Sequence, residues 1–123
     1  MGLKGTFTFF GSEVSVAKHP QHNIYVIELN SDVLKKKKFC QANPDFKGKK
    51  PCVYVGMTGR TPEERFEQHK SGYKSNKYVK KFGVRLRPRL YKSHNPMTYD
   101  EARYMEEEKA RRLRKRGYAV WQK

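Results

Sequence analysis

The sequence predicts a mixed α/β domain in which short strands and helices are interleaved along one chain. Three observations predict it. Asn23–Leu29 and residues 52–56 are rich in β-branched and aromatic residues with strand-like alternation. Thr61-Pro62-Glu63-Glu64 and Thr98-Tyr99-Asp100-Glu101 are helix openings, each a capping threonine followed three residues later by glutamate. Glycine, proline and asparagine clusters punctuate the intervals. The 123 residues suffice for one compact domain with a modest core.

Residues 1–22 read as an N-terminal extension, with a short strand at residues 6–10 ended by Gly11-Ser12. His19 and His22 have a metal-like spacing, but Pro20 and the lack of nearby ligands favour a solvated loop. In Asn23–Leu29, Tyr25, Ile27 and Leu29 face one way; Ile24, Val26 and Glu28 face the other. Residues 30–51 are a long connection. Ser31-Asp32 opens a short helix that runs to about Gln41 and stops before Asn43-Pro44. The connection carries two basic runs, Lys35, Lys36, Lys37 and Lys38, then Lys47, Lys49 and Lys50. Such runs suit sequence-independent contact with phosphates, weakening as salt rises.

The functional reading turns on residues 52–69. Val53 and Val55 alternate with Cys52, Tyr54 and Gly56 as a strand. Gly56 and Gly59 make the turn, and Thr61, Pro62 and Glu64 start the helix. Arg65 and His69 lie one helical turn apart and share a face. A strand tyrosine, a glycine turn and this pair can converge on one small volume.

Residues 75–82 read as a short basic helix resting on Tyr78, Val79 and Phe82, stopped at Gly83. Residues 84–91 alternate as a strand. Val84, Leu86 and Leu90 share one face, and Arg85, Arg87 and Arg89 share the other as a phosphate-binding stripe. Pro88 implies an edge or a bulge there. The last helix runs from the Thr98 cap to about Arg116 on a buried stripe of Ala102, Met105, Ala110 and Leu113. Glu106 falls on that stripe, whereas Glu107 and Glu108 look outward to Arg111 and Arg112. An inward carboxylate calls for a partner, a ligand or a metal. Residues 118–121 return as a final strand.

The net charge of +16 arises from 28 basic against 12 acidic residues. That excess repels itself in a compact state and points to a polyanionic partner, with nucleic acid ahead of a membrane surface. No apolar run is long enough to cross a bilayer, and no signal-peptide pattern is present. Cys40 and Cys52 have neither metal nor redox spacing, which gives an expectation of reduced thiols and a cytoplasmic location.

Phosphodiester hydrolysis needs a base for the attacking water, positive charge at the phosphorus and, in most enzymes, a divalent metal on a carboxylate. The chain offers Tyr25, Tyr54, Arg65, His69 and Glu106 for those roles. No GxxxxGK[ST] loop, GxSxG elbow or zinc quartet competes with them. These residues carry a resemblance to the GIY-YIG nuclease superfamily. Asn23-Ile24-Tyr25 matches the first motif and Val53-Tyr54-Val55-Gly56 the second. Arg65 with His69 matches the helical pair, and Ala102 with Glu106 the late-helix glutamate.

The resemblance covers roughly residues 23–121. It implies a small fold with a central, mainly antiparallel three-stranded sheet flanked by helices, with residues 30–51 as an insertion. It implies an endonuclease using Mg²⁺ or Mn²⁺, acting on DNA in preference to RNA, with specificity supplied by substrate structure or by a protein partner. Tyr25 becomes the base or base-relay with Tyr54 beside it. Arg65 becomes the phosphate ligand, His69 the assistant to either, and Glu106 the metal ligand. Nearby cations are expected to favour the Tyr25 phenolate, or a water to relay its proton. Lys35, Lys36, Lys37, Lys38, Arg60, Arg85, Arg87 and Arg89 are the expected nucleic-acid contacts. The same fold with weak or no cleavage, and an RNA-directed nuclease, are the alternatives.

Overall fold

A computed structural model of the protein describes residues 20–122; the strand expected at residues 6–10 lies outside them. β1 (Asn23–Leu29) is the centre of the architecture, and Ile24, Tyr25, Val26 and Ile27 are all buried, so both faces of the strand are covered. β2 (Cys52–Thr58) pairs with it antiparallel in unbroken register, Tyr25 opposite Gly56 and Ile27 opposite Tyr54. β3 (Gly83–Leu86) pairs antiparallel on the other side of β1. β4 (Ala119–Gln122) runs parallel to β2.

The sheet is therefore mixed and four-stranded, in the order β3-β1-β2-β4, where three mainly antiparallel strands were expected. The chain between β2 and β4 is long enough for the crossover that parallel pairing demands. A second correction concerns Gly56. It makes no turn but lies inside β2, which continues to Thr58 before the chain bends.

The helices follow their local signals. α2 (Pro62–Ser71) and α4 (Tyr99–Lys115) both begin in capping boxes, Thr61 with Glu64 and Thr98 with Glu101. Gly72 closes α2 at φ 95°, a left-handed angle that side-chain-bearing residues avoid. α3 (Lys77–Phe82) is capped by the Asn76 side chain and buries Tyr78, Val79 and Phe82 as expected. α4 packs on β4, β2 and β1 through Ala102, Ala110 and Leu113. Lys109 is buried beside that stripe, which its charge did not suggest. Among the described residues, no helix is long and apolar enough to cross a membrane.

Two expected elements are shorter than their patterns. The helix at residues 31–41 is broken at Lys36 into a 3₁₀ turn, Ser31–Lys35, and α1 (Lys37–Gln41). Val33 and Phe39 are its buried residues, and a continuous helix would set them roughly a third of a turn apart; the break lets both reach the core. The opening cap is Asn30, whose Oδ1 accepts the Asp32 N–H at 2.8 Å. The strand expected at residues 84–91 ends at Leu86, and Pro88–Leu90 forms a 3₁₀ turn because proline cannot donate to a ladder. Val84 is skipped at a register shift, where Arg85 pairs with Glu28 and Gly83 with Leu29, and it is 47% exposed.

Two asparagines finish the sheet where no strand is available. The Asn43 side chain accepts the Val120 N–H at 2.7 Å and donates to the Val120 carbonyl at 3.0 Å. That fastens the insertion over the outer edge of β4, which would otherwise present unpaired backbone. Asn95 does the same beside β1, accepting the Ile24 N–H at 2.9 Å and donating to its carbonyl at 2.8 Å.

Candidate active site

Pairing of β1 with β2 sets Tyr25 and Tyr54 on one face of the sheet, their ring centroids 6.1 Å apart. Gly56 is what makes room. A Cβ built there would stand 2.5 Å from Tyr25 Oη and 2.9 Å from the Tyr54 ring. α2 lays His69 across both phenols, with ring centroids 6.0 Å from Tyr25 and 5.6 Å from Tyr54. His69 Nε2 lies 2.8 Å from Tyr25 Oη, and both residues are only 1% exposed. The other ring nitrogen, Nδ1, accepts the Asn76 backbone N–H at 3.0 Å.

Arg65 sits one turn before His69 and is half-buried. Its guanidinium donates to Gln68 Oε1 at 3.2 Å and to the carbonyls of Tyr73 at 3.2 Å and Lys74 at 2.7 Å. Glu106, also half-buried, comes from α4 on the opposite side of the sequence. Its charge is felt at both phenols, as is that of Arg65. Side chains from β1, β2 and α2 thus meet at one place, within reach of a charge from α4.

The ionisation of the cluster is governed by burial. Desolvation pushes the Tyr25 phenol far above the ordinary tyrosine range; Tyr54 and Glu106 push it further, against the pull of Arg65. Tyr54 is pushed up to about 12, first by burial and then by Glu106. His69 is lowered to about 4 by burial, helped by the Arg65 charge. At neutral pH both phenols are protonated and the imidazole is uncharged. The expectation that nearby cations would favour the Tyr25 phenolate is thereby reversed, because loss of water outweighs the one guanidinium.

Among the described residues, no three His, Cys, Asp or Glu side chains come together as a ready-made metal site. The donor set at the cluster is one carboxylate beside neutral phenols. That composition is wrong for a closed zinc site, which needs four protein ligands. It fits Mg²⁺, which commonly takes one or two carboxylates and completes its shell with water and phosphate oxygens.

The expected nucleic-acid contacts fall into separate groups. Arg60 is exposed in the bend between β2 and α2, its carbonyl held by the Asn23 side chain at 2.9 Å. Lys35 lies 3.7 Å from Asp32. Lys36, Lys37 and Lys38 join Lys77 and Lys81 around an open groove of about 320 Å³ above Tyr78 and Phe82. Arg85 and Arg87 converge on Glu28 at 3.0 and 3.3 Å, and Arg89 lies exposed on the 3₁₀ turn. The three arginines do not form one strand face, since the strand stops before the second of them.

Part of the site is built from backbone. Tyr73, Lys74 and Asn76 act through main-chain atoms, which leave no signature in residue type. Only the Asn76 helix cap had a local signal. No protein-family model, curated protein or solved structure matches this chain.

Proposed function

We propose that this protein is a metal-dependent endonuclease of the GIY-YIG type that hydrolyses phosphodiester bonds in DNA. The observation that carries the reading is the gathering of Tyr25, Tyr54, His69 and Arg65 around one buried hydrogen bond, with the charge of Glu106, from a fourth element, acting on both phenols. Binding alone would not call for that set. The excess of 28 basic over 12 acidic residues supports a polyanionic substrate, though charge does not separate DNA from RNA.

In this reading Glu106 holds Mg²⁺ or Mn²⁺, which when bound polarises the phosphate and offsets its developing charge. Arg65 has three N–H donors engaged by protein acceptors, leaving two of its five for the phenol and a phosphate oxygen. Tyr25 is a neutral phenol in the resting protein, so it serves as a relay that orients the attacking water, taking a proton from it as its own proton goes to a phosphate oxygen of the substrate. Tyr54 and Gly56 hold that phenol in place. Lys36, Lys37, Lys38, Lys77 and Lys81 track the backbone of the nucleic acid away from the reacting phosphate. Specificity then comes from substrate structure or a protein partner.

A second reading, a nucleic-acid-binding module with weak or no cleavage, is favoured by one observation: Tyr25 and His69 are only 1% exposed. Purified protein incubated with supercoiled, branched and single-stranded DNA and with RNA, in Mg²⁺ or Mn²⁺, separates the readings. Metal-dependent cleavage of DNA that is lost in Glu106→Ala supports the first. Binding without cleavage in either metal moves the assignment to the second, and cleavage confined to RNA changes the substrate.

A further inference from the structure

We infer that the connection between α2 and α3 decides the chemistry of the site: the Asn76 backbone N–H fixes His69 as the Nε2–H tautomer, so His69 donates a hydrogen bond to Tyr25 and does not accept its proton. What the phenol is for rests on the nuclease reading above. What the histidine is rests on geometry alone.

A neutral imidazole has one N–H and one lone pair, and the partner of one nitrogen determines the state of the other. A backbone amide can only donate. With Asn76 N at 3.0 Å, Nδ1 must present its lone pair, and the proton resides on Nε2. Nε2 then points its hydrogen at Tyr25 Oη, 2.8 Å away. The opposite tautomer would set N–H against N–H at Nδ1 and leave the Asn76 amide unsatisfied. The ring is 1% exposed, so solvent has little access with which to compensate for either fault.

The consequence lies at the phenol. Its oxygen accepts from His69, so its own hydrogen is directed elsewhere. Negative charge that develops on Oη meets a donor already in place. His69 therefore acts as a positioning and charge-stabilising group: as Oη takes a proton from water, the phenol's own proton goes to a phosphate oxygen of the substrate and not to the histidine. The same connection also holds the other functional side chain of α2, through the Tyr73 and Lys74 carbonyls on Arg65. One short segment thus sets both by main-chain atoms.

Two substitutions separate the amide from the side chain of Asn76. Asn76→Ala removes the cap on the Tyr78 and Val79 N–H groups but keeps the backbone donor. Asn76→Pro removes both, and the native φ of −77° is one that proline adopts. The first readout is the ¹⁵N shift pattern of the His69 ring in long-range ¹H–¹⁵N spectra, which reports the protonated nitrogen without any need for activity. Wild type and Asn76→Ala are expected to show Nε2–H, and Asn76→Pro a shift toward Nδ1–H. On cleaved DNA, kcat of Asn76→Pro is expected at least about tenfold below that of Asn76→Ala, with KM within about twofold. Nδ1–H in wild type, or equal tautomers or equal kcat in the two variants, overturns the inference. If Asn76→Pro does not fold, the spectra of the other two proteins decide. If no nucleic acid is cleaved, the nuclease reading fails while the spectra still judge the tautomer.

Discussion

Tyr25 Oη lies directly against Gly56, so close that a Cβ on the glycine would stand 2.5 Å from it. The phenol can move only by breaking its 2.8 Å contact with His69. Gly56→Ala is therefore expected to destabilise the protein by about 1–3 kcal/mol, the usual range for overpacking a tight interior. If the nuclease reading holds, it is also expected to reduce cleavage more than binding, because the displaced group is the phenol to which that reading gives the relay. Urea denaturation and DNA cleavage assays check the two effects. An unchanged midpoint with full activity would show that the space above the glycine is soft.

The histidine gives a pH dependence of defined sign. His69 has a folded-state pKa near 4, below its unfolded value of 6.5. The unfolded chain thus binds the proton first, and stability falls as pH falls. Its contribution, roughly 3 kcal/mol from the size of the shift, is present above pH 6.5 and lost progressively as pH falls to 4. His94 is shifted in the same direction by burial, Lys109 and Arg112, so the wild-type slope alone is not diagnostic. Comparison with His69→Gln isolates the term. Between pH 6.5 and 5 the variant is expected to lose less stability than wild type.

Asn43 should act on the frame and spare the site. Its amide makes four hydrogen bonds, two of them to Val120 on the edge of β4. Asn43→Ala leaves the buried Val120 amide without its partner and is expected to cost about 2–3 kcal/mol. Hydrogen exchange at Val120 should accelerate beyond the global change, while the His69 ring signals stay in place. A loss of the His69–Tyr25 contact in this variant would show that edge and site are coupled.

How much of this was legible follows the range of the forces involved. Arg65 and His69 could be set on one face because the Thr61-Pro62-Glu64 opening fixes the helix within a few residues. Glu106 stood out by the same logic, one carboxylate on an apolar stripe. Gly56 was misjudged because a strand glycine and a turn glycine look alike locally, and what distinguishes them is a phenol on another strand. The parallel docking of β4 is a long-range fact of the same kind. The arginine stripe failed at Pro88, whose missing donor was visible, but the engagement of Arg85 and Arg87 by Glu28 was not. The direction of the Tyr25 shift was misjudged because burial, which residue order does not report, exceeds the effect of one guanidinium.

Glu106 offers a test in which charge and catalysis are read separately. Its carboxylate is the second contributor, after burial, to the rise of Tyr54 to about 12. Glu106→Gln keeps the shape and removes the charge. The Tyr54 phenol is therefore expected to titrate at lower pH, followed by NMR of ring-labelled tyrosine. That outcome requires no metal and no substrate, and it measures whether the carboxylate stands near the phenols in solution. In the same variant, Mg²⁺-dependent cleavage is expected to fall at least about a hundredfold, since a neutral amide is a poor ligand for a hard cation. DNA binding should change little, because the lysine groove is untouched. An unmoved Tyr54 titration with unchanged cleavage would remove Glu106 from the site, and a moved titration with unchanged cleavage would remove only the metal from it.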